Sequence, residues 1–556
     1  MRARLRRFLS TRIQAWILGI LMCLILWLIY QSNGRFIGGS DVYTGRFVPV
    51  SLVTELDYDL NEFMFIRNND PRGWAPGGRY YNKPGQPYHG RTLSTSPTFA
   101  ATLMAPFYWL PFRALGVSPR HFLIFYMDKA FASLFCVLAA WFLYRALREK
   151  HTPRPAAYMI STAMALGTSV WAVASQAMWQ HPPSVCFLAL SLWLWVRSSR
   201  KRLGFFFLGL AAGAAVGARP SNAFWVLLVA FELFFVRDFR GKTRTLFLTF
   251  RCVFHRRFRW AFRVFGNFLR RFKPIIPYAL GGLPTMVFLG IYNWYHFGAP
   301  WTTAYSMFGK GVAATLEVKN LMAGVLGILF SPSLGLLPNA PFFIFVPLSL
   351  LLYVCRKGSR PRSHVVFPLL FVLANIALYS SRNQGWWGGW AFCYRYLIDS
   401  MPMAVFLLVG LWRLRIHRKW RIPNFMLRFA VWSVFTLFFL WSFFVQAFGA
   451  FIWTGHYYRK WENINQRLTV SLKKEYPFVE FSAPSVHWSF KKEEHLILCE
   501  LRYFPWKPTG DQTWPQFIKV RAERWATTPA KVKQDLIVHK HVKYGTYAPI
   551  ILEMGR

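Results

Sequence analysis

Apolar residues occur along this chain in long unbroken stretches, and charged residues gather between them. Runs of this kind predict helices that cross a membrane, because about 20 apolar residues span the hydrocarbon core of a bilayer. About eleven stretches can be distinguished: residues 16–30, 121–144, 156–174, 183–196, 203–218, 221–236, 275–295, 339–354, 365–379, 396–412 and 429–452. The pattern predicts an all-α polytopic membrane protein with about 11 transmembrane helices.

Short basic clusters between the stretches predict the orientation. Under the positive-inside rule, the arginines before the first stretch place the N-terminus in the cytoplasm. The clusters that then fall on the same side are those at residues 145–154, 197–202, 356–362 and 413–421. An uncleaved first helix is favoured over a signal peptide, because no small-residue cleavage site follows Tyr30. The first extracytoplasmic loop therefore covers residues 31–120 in this scheme.

The segment at residues 237–273 is predicted to be cytoplasmic. It interleaves Phe and Trp with many Lys and Arg, as an amphipathic helix on anionic lipid would. RNA binding is the alternative, but the two flanking spans favour the membrane surface. No nucleic-acid partner is expected.

One further apolar run, at residues 97–115, does not fit the alternation of sides. Counting it as a span would send the next basic cluster outside, and Pro97, Pro106 and Pro111 would interrupt a regular helix. We expect this run to lie on the outer membrane surface as part of the first loop.

The last hundred or so residues differ in pattern from the membrane part. Short alternating stretches, such as Leu496 to Leu501, predict a small β-containing extracytoplasmic domain at residues 453–556, with no catalytic motif that indicates its role. Residues 1–452 form the predicted transmembrane domain. The multi-pass chain is expected in the plasma or inner membrane, with its C-terminal domain on the extracytoplasmic side.

Acids are scarce, so the acid-rich first loop stands out against a formal net charge of +45. Asp41 follows the first helix closely, near the depth of a lipid phosphate, and is the candidate base or metal ligand, although a turn-forming role is an alternative. Asp57, Asp59 and Glu62 are interpreted as the start and solvated face of a short helix.

Positive side chains also occur on the predicted outer side, where the positive-inside rule disfavours them. With their polar neighbours, they are Lys83, Arg91, Gln180, His181, Arg219 and Arg395. Arginine forks and a lysine match a phosphate group, which predicts an anion site. The alternative is that each arginine caps a helix or extends to the interface. His181 could likewise be an ordinary interfacial histidine.

Arg395 has two sequence neighbours that favour a functional role. Asp399 follows by one helical turn, where it could orient the guanidinium group. Trp387 and Trp390 precede it, and their indole faces suit a sugar or an isoprenoid, or else an interfacial belt. No glycine-rich phosphate loop, zinc motif or serine elbow occurs, which disfavours an ATP-driven pump and a serine or zinc hydrolase.

Several outer-side motifs occur in a characteristic order between residues 39 and 412. They are Gly39-Ser40-Asp41, Ser94-Thr95-Ser96-Pro97 through Pro106-Phe107-Tyr108, Ser175 to His181, Gly217-Ala218-Arg219-Pro220, Tyr292 to Gly298, Phe330 to Leu336, and Trp387-Gly388-Gly389-Trp390 leading to Arg395-Tyr396-Leu397. Together they resemble the bacterial GT-C glycosyltransferases, multispanning enzymes such as lipid A aminoarabinose transferase and protein O-mannosyltransferases that use a polyprenyl-phosphate sugar.

The resemblance implies a glycosyltransferase that moves one hexosyl or pentosyl group from a polyprenyl-phosphate donor to a hydroxyl of an extracytoplasmic glycan, lipid or protein, with inversion. It implies that Asp41 acts as base or metal ligand and that Arg219 and Arg395 hold the lipid phosphate. Relatives often place a lysine before the aromatic-proline pair of the surface helix, where this chain has Thr95-Ser96-Pro97. Lys83 or Arg91 could take the role of that lysine.

Two points stay open at this stage. A divalent cation could assist the reaction, but no ligand set identifies a metal site, and no cofactor is assigned. A lipid-linked glycan flippase or transporter, or an inactive relative that binds lipid, is the alternative to an enzyme. Transporters usually show paired half-repeats with polar sites at the membrane midplane, and neither is evident here.

Overall fold

Helices form nearly all of the regular structure in the computed structural model of the chain. It describes residues 2–37, 42–63, 80–81, 92–94, 96–119, 121, 123–197, 202–236, 273–303, 306, 316, 321–332, 334–354, 363–381, 391–413 and 424–451. Within these ranges, the strands are β1 (Tyr80–Tyr81) and β2 (Leu93–Ser94), which form an antiparallel ribbon.

The helices are numbered in chain order. The first are α1 (Arg2–Gln31), α2 (Tyr43–Thr54), α3 (Phe99–Tyr108), α4 (Leu123–Glu149), α5 (Arg154–Leu166), α6 (Ser169–Ala172), α7 (His181–Arg197), α8 (Arg202–Ala218) and α9 (Ala223–Phe231). The next are α10 (Ile275–Phe297), α11 (Leu321–Phe330), α12 (Leu336–Asn339), α13 (Phe345–Val354), α14 (Ser363–Ser380), α15 (Met401–Phe406) and α16 (Asn424–Phe451). Tighter or wider turns extend several of them: Asn61–Phe63, Trp109–Ala114, Ala174–Gln176, Pro220–Asn222, Glu232–Val236, Pro341–Ile344, Arg395–Ser400 and Leu407–Arg413.

Each predicted apolar stretch falls on one or more of these helices. Among the described residues, four helices are long and apolar enough to cross a membrane: Leu123–Glu149, Ile275–Phe297, Ser363–Ser380 and Met426–Phe451. A bent pair brings the number to five if it is counted as one span. The chain is a membrane protein of mostly helical structure, and the figure of about eleven spans remains a prediction. The pattern did not predict α11, whose 10 residues are too few for a span.

The bent pair is the third predicted stretch. The helical segments Arg154–Leu166 and Ser169–Gln176 meet at an angle of 43°. Thr168 stabilises the break, because its hydroxyl donates to the carbonyl of Met164 at 2.6 Å and accepts the amide of Val170 at 3.3 Å. After this bend, the chain continues through residues 177–180 to the start of α7.

The apolar run at residues 97–115 is largely helical, and the expected interruption by its prolines does not occur. Pro106 lies inside α3, and Pro111 lies inside the following π turn, Trp109–Ala114. A π turn bonds each amide to the carbonyl five residues back, as Leu115 does to Leu110 at 3.0 Å, and this wider spacing accommodates a residue that has no amide hydrogen. The exposed apolar side chains of the segment are Leu103, Phe107, Trp109, Leu110 and Leu115. Its place on the outer membrane surface remains a prediction.

Helices α8 and α10 contact each other backbone to backbone through glycine. A Cβ atom on Gly209 would lie 1.9 Å from the carbonyl oxygen of Tyr278, and a Cβ atom on Gly281 would lie 1.9 Å from that of Phe206. Small residues permit this close approach between apolar helices. The contact orients the end of α8, and Arg219 is the next residue.

Two predicted regions lie outside the described residues. One is the C-terminal domain at 453–556, and the other is the basic segment at 237–273, of which only Lys273 is described. Their predicted roles therefore remain expectations.

Candidate functional site

Three side chains singled out in the sequence meet where α7 begins and α8 ends. Asp399, in the 3₁₀ turn Arg395–Ser400, is fully buried and forms an ion pair with Arg219. His181 Nδ1 lies 2.7 Å from Arg219 Nη1 and 3.3 Å from Asp399 Oδ1. Since an arginine can only donate hydrogen bonds, Nδ1 accepts, and the histidine proton then lies on Nε2. The three side chains form one unit, with a neutral imidazole beside a buried ion pair.

The local backbone explains how Arg219 reaches this position. Arg219 is extended, with φ of −156°, and precedes the 3₁₀ turn Pro220–Asn222. The side-chain amide of Asn222 donates to Ser184 Oγ at 2.7 Å and to the carbonyl of Ala215 at 2.8 Å. The turn is thereby attached to both α7 and α8, so Arg219 and His181 have a fixed separation.

Arg395 lies beside the cluster and is held by aromatic rings. Its guanidinium carbon is 5.0 Å from the ring centroid of Trp179 and 5.3 Å from that of Tyr396. The expectation that Asp399 orients Arg395 assumed α-helical spacing. In a 3₁₀ helix, residues four apart point about 120° away from each other. Asp399 accordingly forms its described ion pair with Arg219.

A pair of stacked tyrosines connects the two arginines. The rings of Tyr379 and Tyr396 are 4.7 Å apart and nearly parallel, at 8°. The guanidinium carbon of Arg219 lies 5.3 Å from the Tyr379 ring, and Arg395 contacts the Tyr396 ring. Contact with aromatic faces leaves the in-plane hydrogen-bond directions of a guanidinium pointing elsewhere, which suits recognition of an oxyanion.

Other residues predicted for the site differ in how far the structure describes them. Gln180 directly precedes His181, is partly exposed, and accepts the Ser184 amide through its carbonyl at 3.4 Å. The predicted site residues that lie outside the described residues are Asp41, Lys83, Arg91, Trp387 and Trp390.

A second buried charged cluster was missed by the sequence analysis. Asp128 Oδ2 contacts Arg46 Nη2 at 2.6 Å and Nε at 2.8 Å, and both side chains are buried. Asp128 Oδ1 accepts the backbone amide of Met178 at 2.7 Å. The available signal was the charged dipeptide Asp128-Lys129 inside an apolar run, because ionisable residues within a membrane helix usually have a specific role.

Lys129 extends this second cluster to the ends of the first and last described helices. Its ammonium group donates to the side-chain oxygen of Asn33 and, at 2.7 Å, to the carbonyl of Arg35. The amide of Asn33 donates to Gln176 at 2.7 Å and to the carbonyl of Ala450 at 2.8 Å. Polar contacts therefore join α1, α4, the bent pair and α16 at one place.

Asp57 and Asp59 form local turns instead of the solvated helix face that was expected. Asp57 Oδ1 accepts from Ser51 Oγ at 3.0 Å and from the Asp59 amide at 3.2 Å, and Asp59 accepts the Asn61 amide at 3.1 Å. Burial raises the pKa of Glu62 from 4.5 to about 7, and the negative charges of Asp59 and Asp57 add to the rise. Short acidic side chains favour such turns because they bond to amides two residues ahead.

No metal site can be assigned in the described part of the chain. There, no group of three or more His, Cys, Asp or Glu side chains is arranged to hold an ion. A cation at Asp41 would involve a residue outside the described ranges.

Two solved structures are similar to the chain in three dimensions. ArnT from Cupriavidus metallidurans bound to undecaprenyl phosphate has a TM-score of 0.43 and 12% identity, over 79% of this chain and 75% of that one. The archaeal oligosaccharyltransferase AglB from Archaeoglobus fulgidus, in complex with an inhibitory peptide and a dolichol-phosphate, has a TM-score of 0.40 and 14% identity. That match covers 91% of this chain and 63% of AglB, which is less than two thirds of its length. Neither likeness reaches a TM-score of 0.5.

Comparison by sequence adds no relative. No protein-family model matches the chain, and no curated protein gives a significant match. ArnT and AglB are both GT-C glycosyltransferases, the class that the sequence motifs resemble. The function proposed for this chain rests on its own residues.

Proposed function

We propose that the protein is a membrane glycosyltransferase that moves a sugar from a polyprenyl-phosphate donor to a hydroxyl of an extracytoplasmic glycan, lipid or protein, with inversion at the anomeric carbon. The observation that carries the proposal is the convergence of Arg219 and Arg395 on one buried cluster with Asp399 and His181. Among the described residues of this cluster, two guanidinium groups accompany one buried carboxylate, and guanidinium groups attract a phosphate.

In this proposal, the arginines act on the leaving group. When the bond between the sugar and the phosphate breaks, negative charge accumulates on the phosphate oxygens. Positively charged donors fixed in a desolvated site stabilise that charge without having to reorganise. Asp399 and His181 hold Arg219, and Trp179 and Tyr396 hold Arg395, so both groups are oriented before the donor binds.

Asp41 is proposed as the base that accepts the proton of the acceptor hydroxyl. The proposal comes from its sequence position, just before Val42, which is buried at the start of α2. Lys83 and Arg91 are proposed as further phosphate contacts, Gln180 as a polar contact of the donor, and Trp387 and Trp390 as faces for the sugar or the isoprenoid. The site is proposed to open on the extracytoplasmic side.

Binding of the carrier lipid tests the phosphate site. Purified protein should bind undecaprenyl phosphate, and Arg219→Ala or Arg395→Ala should weaken that binding by about ten-fold or more, because each loses a charge-assisted contact. Arg202→Ala is the matched control, since Arg202 is an exposed residue at the opposite end of α8. If folded Arg219→Ala and Arg395→Ala proteins bound the lipid as tightly as Arg202→Ala, the arginines would have no role in holding phosphate.

Replacement of the proposed base separates catalysis from binding. Asp41→Asn should keep undecaprenyl phosphate binding but lower sugar transfer by about 10²–10⁴-fold, because the amide cannot accept a proton. The measurement is transfer of label from a polyprenyl-phosphate sugar in purified membranes. Near-normal transfer by Asp41→Asn would assign the base to another residue, and lipid binding without any transfer by the unmodified protein would favour a flippase or an inactive relative.

A further inference from the structure

The second charged cluster lies between two segments that lead to the proposed site. Asp128 is in the first turns of α4, Arg46 is in α2, and Met178 is in the segment that leads to Trp179 and His181. None of the three is among the residues that are proposed to touch the phosphate. Their geometry nevertheless determines where the neighbouring segments lie.

The two carboxylate oxygens of Asp128 have different partners. Oδ2 accepts both hydrogen bonds from Arg46, and Oδ1 accepts the amide of Met178 at 2.7 Å. Each oxygen therefore attaches one segment to α4. A carboxylate is required for this arrangement, because the amide of an asparagine has only one acceptor oxygen.

The two segments also contact each other directly. A Cβ atom on Gly45 would lie 2.4 Å from the carbonyl oxygen of Met178 and 2.7 Å from its Cβ atom. The backbone of α2 is therefore in close contact with residue 178, next to the charged pair. The guanidinium carbon of Arg46 also lies 4.4 Å from the ring centroid of Phe125, on the same turn of α4 as Asp128.

Lys129 anchors the chain on the other side of the first-loop motif. It bonds to Asn33 and to the carbonyl of Arg35, and Asp128 bonds to Arg46. Consecutive residues of α4 thus hold positions that precede and follow Asp41 in the sequence.

We propose that Asp128 is a positioning residue, which holds α2 and the segment before His181 against each other and so fixes their separation at the proposed sugar-transfer site. The effect of Asp128 on catalysis rests on the proposed function, whereas the attachment of the two segments to Asp128 does not. Asp128 does not touch substrate, and it acts through Arg46 on one side and through the Met178 amide on the other.

Thiol labelling at residue 178 tests the positioning role directly. A Met178→Cys side chain should be protected from maleimide in the otherwise native protein, because Met178 is buried. Adding Asp128→Asn should speed its labelling by about ten-fold or more, since one attachment is lost. Native Cys186, buried in α7, serves as the internal reference and should stay protected. Equal labelling rates at position 178 with and without Asp128→Asn would overturn the inference.

Labelling of Cys186 in the Asp128→Asn protein would show that this variant fails to fold. Gly45→Ala then provides a second variant. The added methyl group would displace the carbonyl of Met178 while every charge is kept, and labelling at position 178 should again accelerate. Glu149→Gln, at the opposite end of α4, is the matched control and should change nothing. If Gly45→Ala left position 178 fully protected, that result would count against the inference.

Carrier-lipid binding connects the positioning role to the site. Asp128→Asn should weaken undecaprenyl phosphate binding by about ten-fold, because small displacements of binding groups have large effects. Arg46→Lys should retain more binding than Arg46→Gln, since a lysine keeps the charge opposite Oδ2. Unmodified protein that binds no undecaprenyl phosphate would refute the proposed function, while the labelling comparison would still decide the positioning role. Asp128→Asn protein that is labelled faster but binds normally would refute the link to the site.

Discussion

At the scale of single residues, buried charges in this protein occur in groups with shared partners. Arg219 bonds to both Asp399 and His181, and Asp128 bonds to both Arg46 and the Met178 amide. Removing one member of a buried pair leaves the other charge without compensation and typically costs about 3–5 kcal/mol. Substitutions within one group should therefore not be additive.

A double-mutant cycle tests which arginine Asp399 orients. Asp399→Asn and Arg219→Ala share an ion pair, so their effects on undecaprenyl phosphate binding should couple by about 0.5–3 kcal/mol. Asp399→Asn and Arg395→Ala should be closer to additive, because Arg395 is held by Trp179 and Tyr396 instead. Stronger coupling of Asp399 to Arg395 than to Arg219 would contradict the geometry of the 3₁₀ turn.

The pH dependence of stability should reveal the environment of Glu62. Its pKa is about 7 in the folded protein, against 4.5 for the unperturbed group. The folded state therefore holds the proton more tightly, and the contribution to stability is complete below pH 4.5 and is lost as the pH rises through 7. The Tm of Glu62→Gln protein, relative to wild type, should increase between pH 5 and pH 8. A difference in Tm that is constant over this range would contradict a raised pKa.

At the scale of elements, departures from regular α-helix position the side chains of the candidate site. The bend at Thr168 directs the chain toward residues 177–180, and the 3₁₀ turn Arg395–Ser400 separates the directions of Arg395 and Asp399. The contact between α8 and α10 orients the end of the helix before Arg219. Each device depends on contacts between helices that are distant in sequence.

Neighbouring glycines of α10 offer a matched test of that helix contact. Gly281→Ala should lower the Tm, because its Cβ atom would lie 1.9 Å from the backbone of Phe206. Gly282→Ala should be neutral or stabilising, because its nearest contact is 3.7 Å and alanine favours a helix by about 1 kcal/mol over glycine. Thermal unfolding in detergent measures both, and equal effects of the two substitutions would refute backbone contact through Gly281.

At the scale of the whole molecule, the first and last described helices end beside each other. Asn33 bonds to the carbonyl of Ala450 at 2.8 Å, and Arg35 bonds to that of Phe451 at 2.6 Å. The C-terminal ends of α1 and α16 therefore lie on the same side of the protein. If both helices cross the membrane, the number of spans from α1 to α16 is odd.

Reporter fusions test the orientation. Fusions after Lys150 and Arg421 should report the cytoplasm, and fusions at Lys83 and after Trp453 should report the outside, because the basic clusters remain inside. Because Arg35 and Phe451 are in contact, the fusions at Lys83 and after Trp453 should report the same side unless a further span intervenes. If Lys83 and Arg421 reported the same side, the predicted grouping of site residues on one face would fail.

The sequence alone determined that the protein is a helical membrane protein and where its apolar stretches lie. It also indicated several residues of the cluster around Arg219 and Asp399. Helical span length and the positive-inside rule are local properties, so His181, Arg219, Arg395 and Asp399 could be assigned to one side before any contact was known. The resemblance to GT-C glycosyltransferases likewise depended on short local motifs.

Only the tertiary structure decided which of these residues touch. The sequence pattern paired Asp399 with Arg395, its near neighbour, whereas the fold pairs it with Arg219, 180 positions away. It also brought Arg46, Asp128 and Met178 together, although none of them belongs to a motif. The physical reason is that a buried charge requires a partner at about 3 Å, and the path of the chain through a helix bend and a 3₁₀ turn determines which partner is within reach.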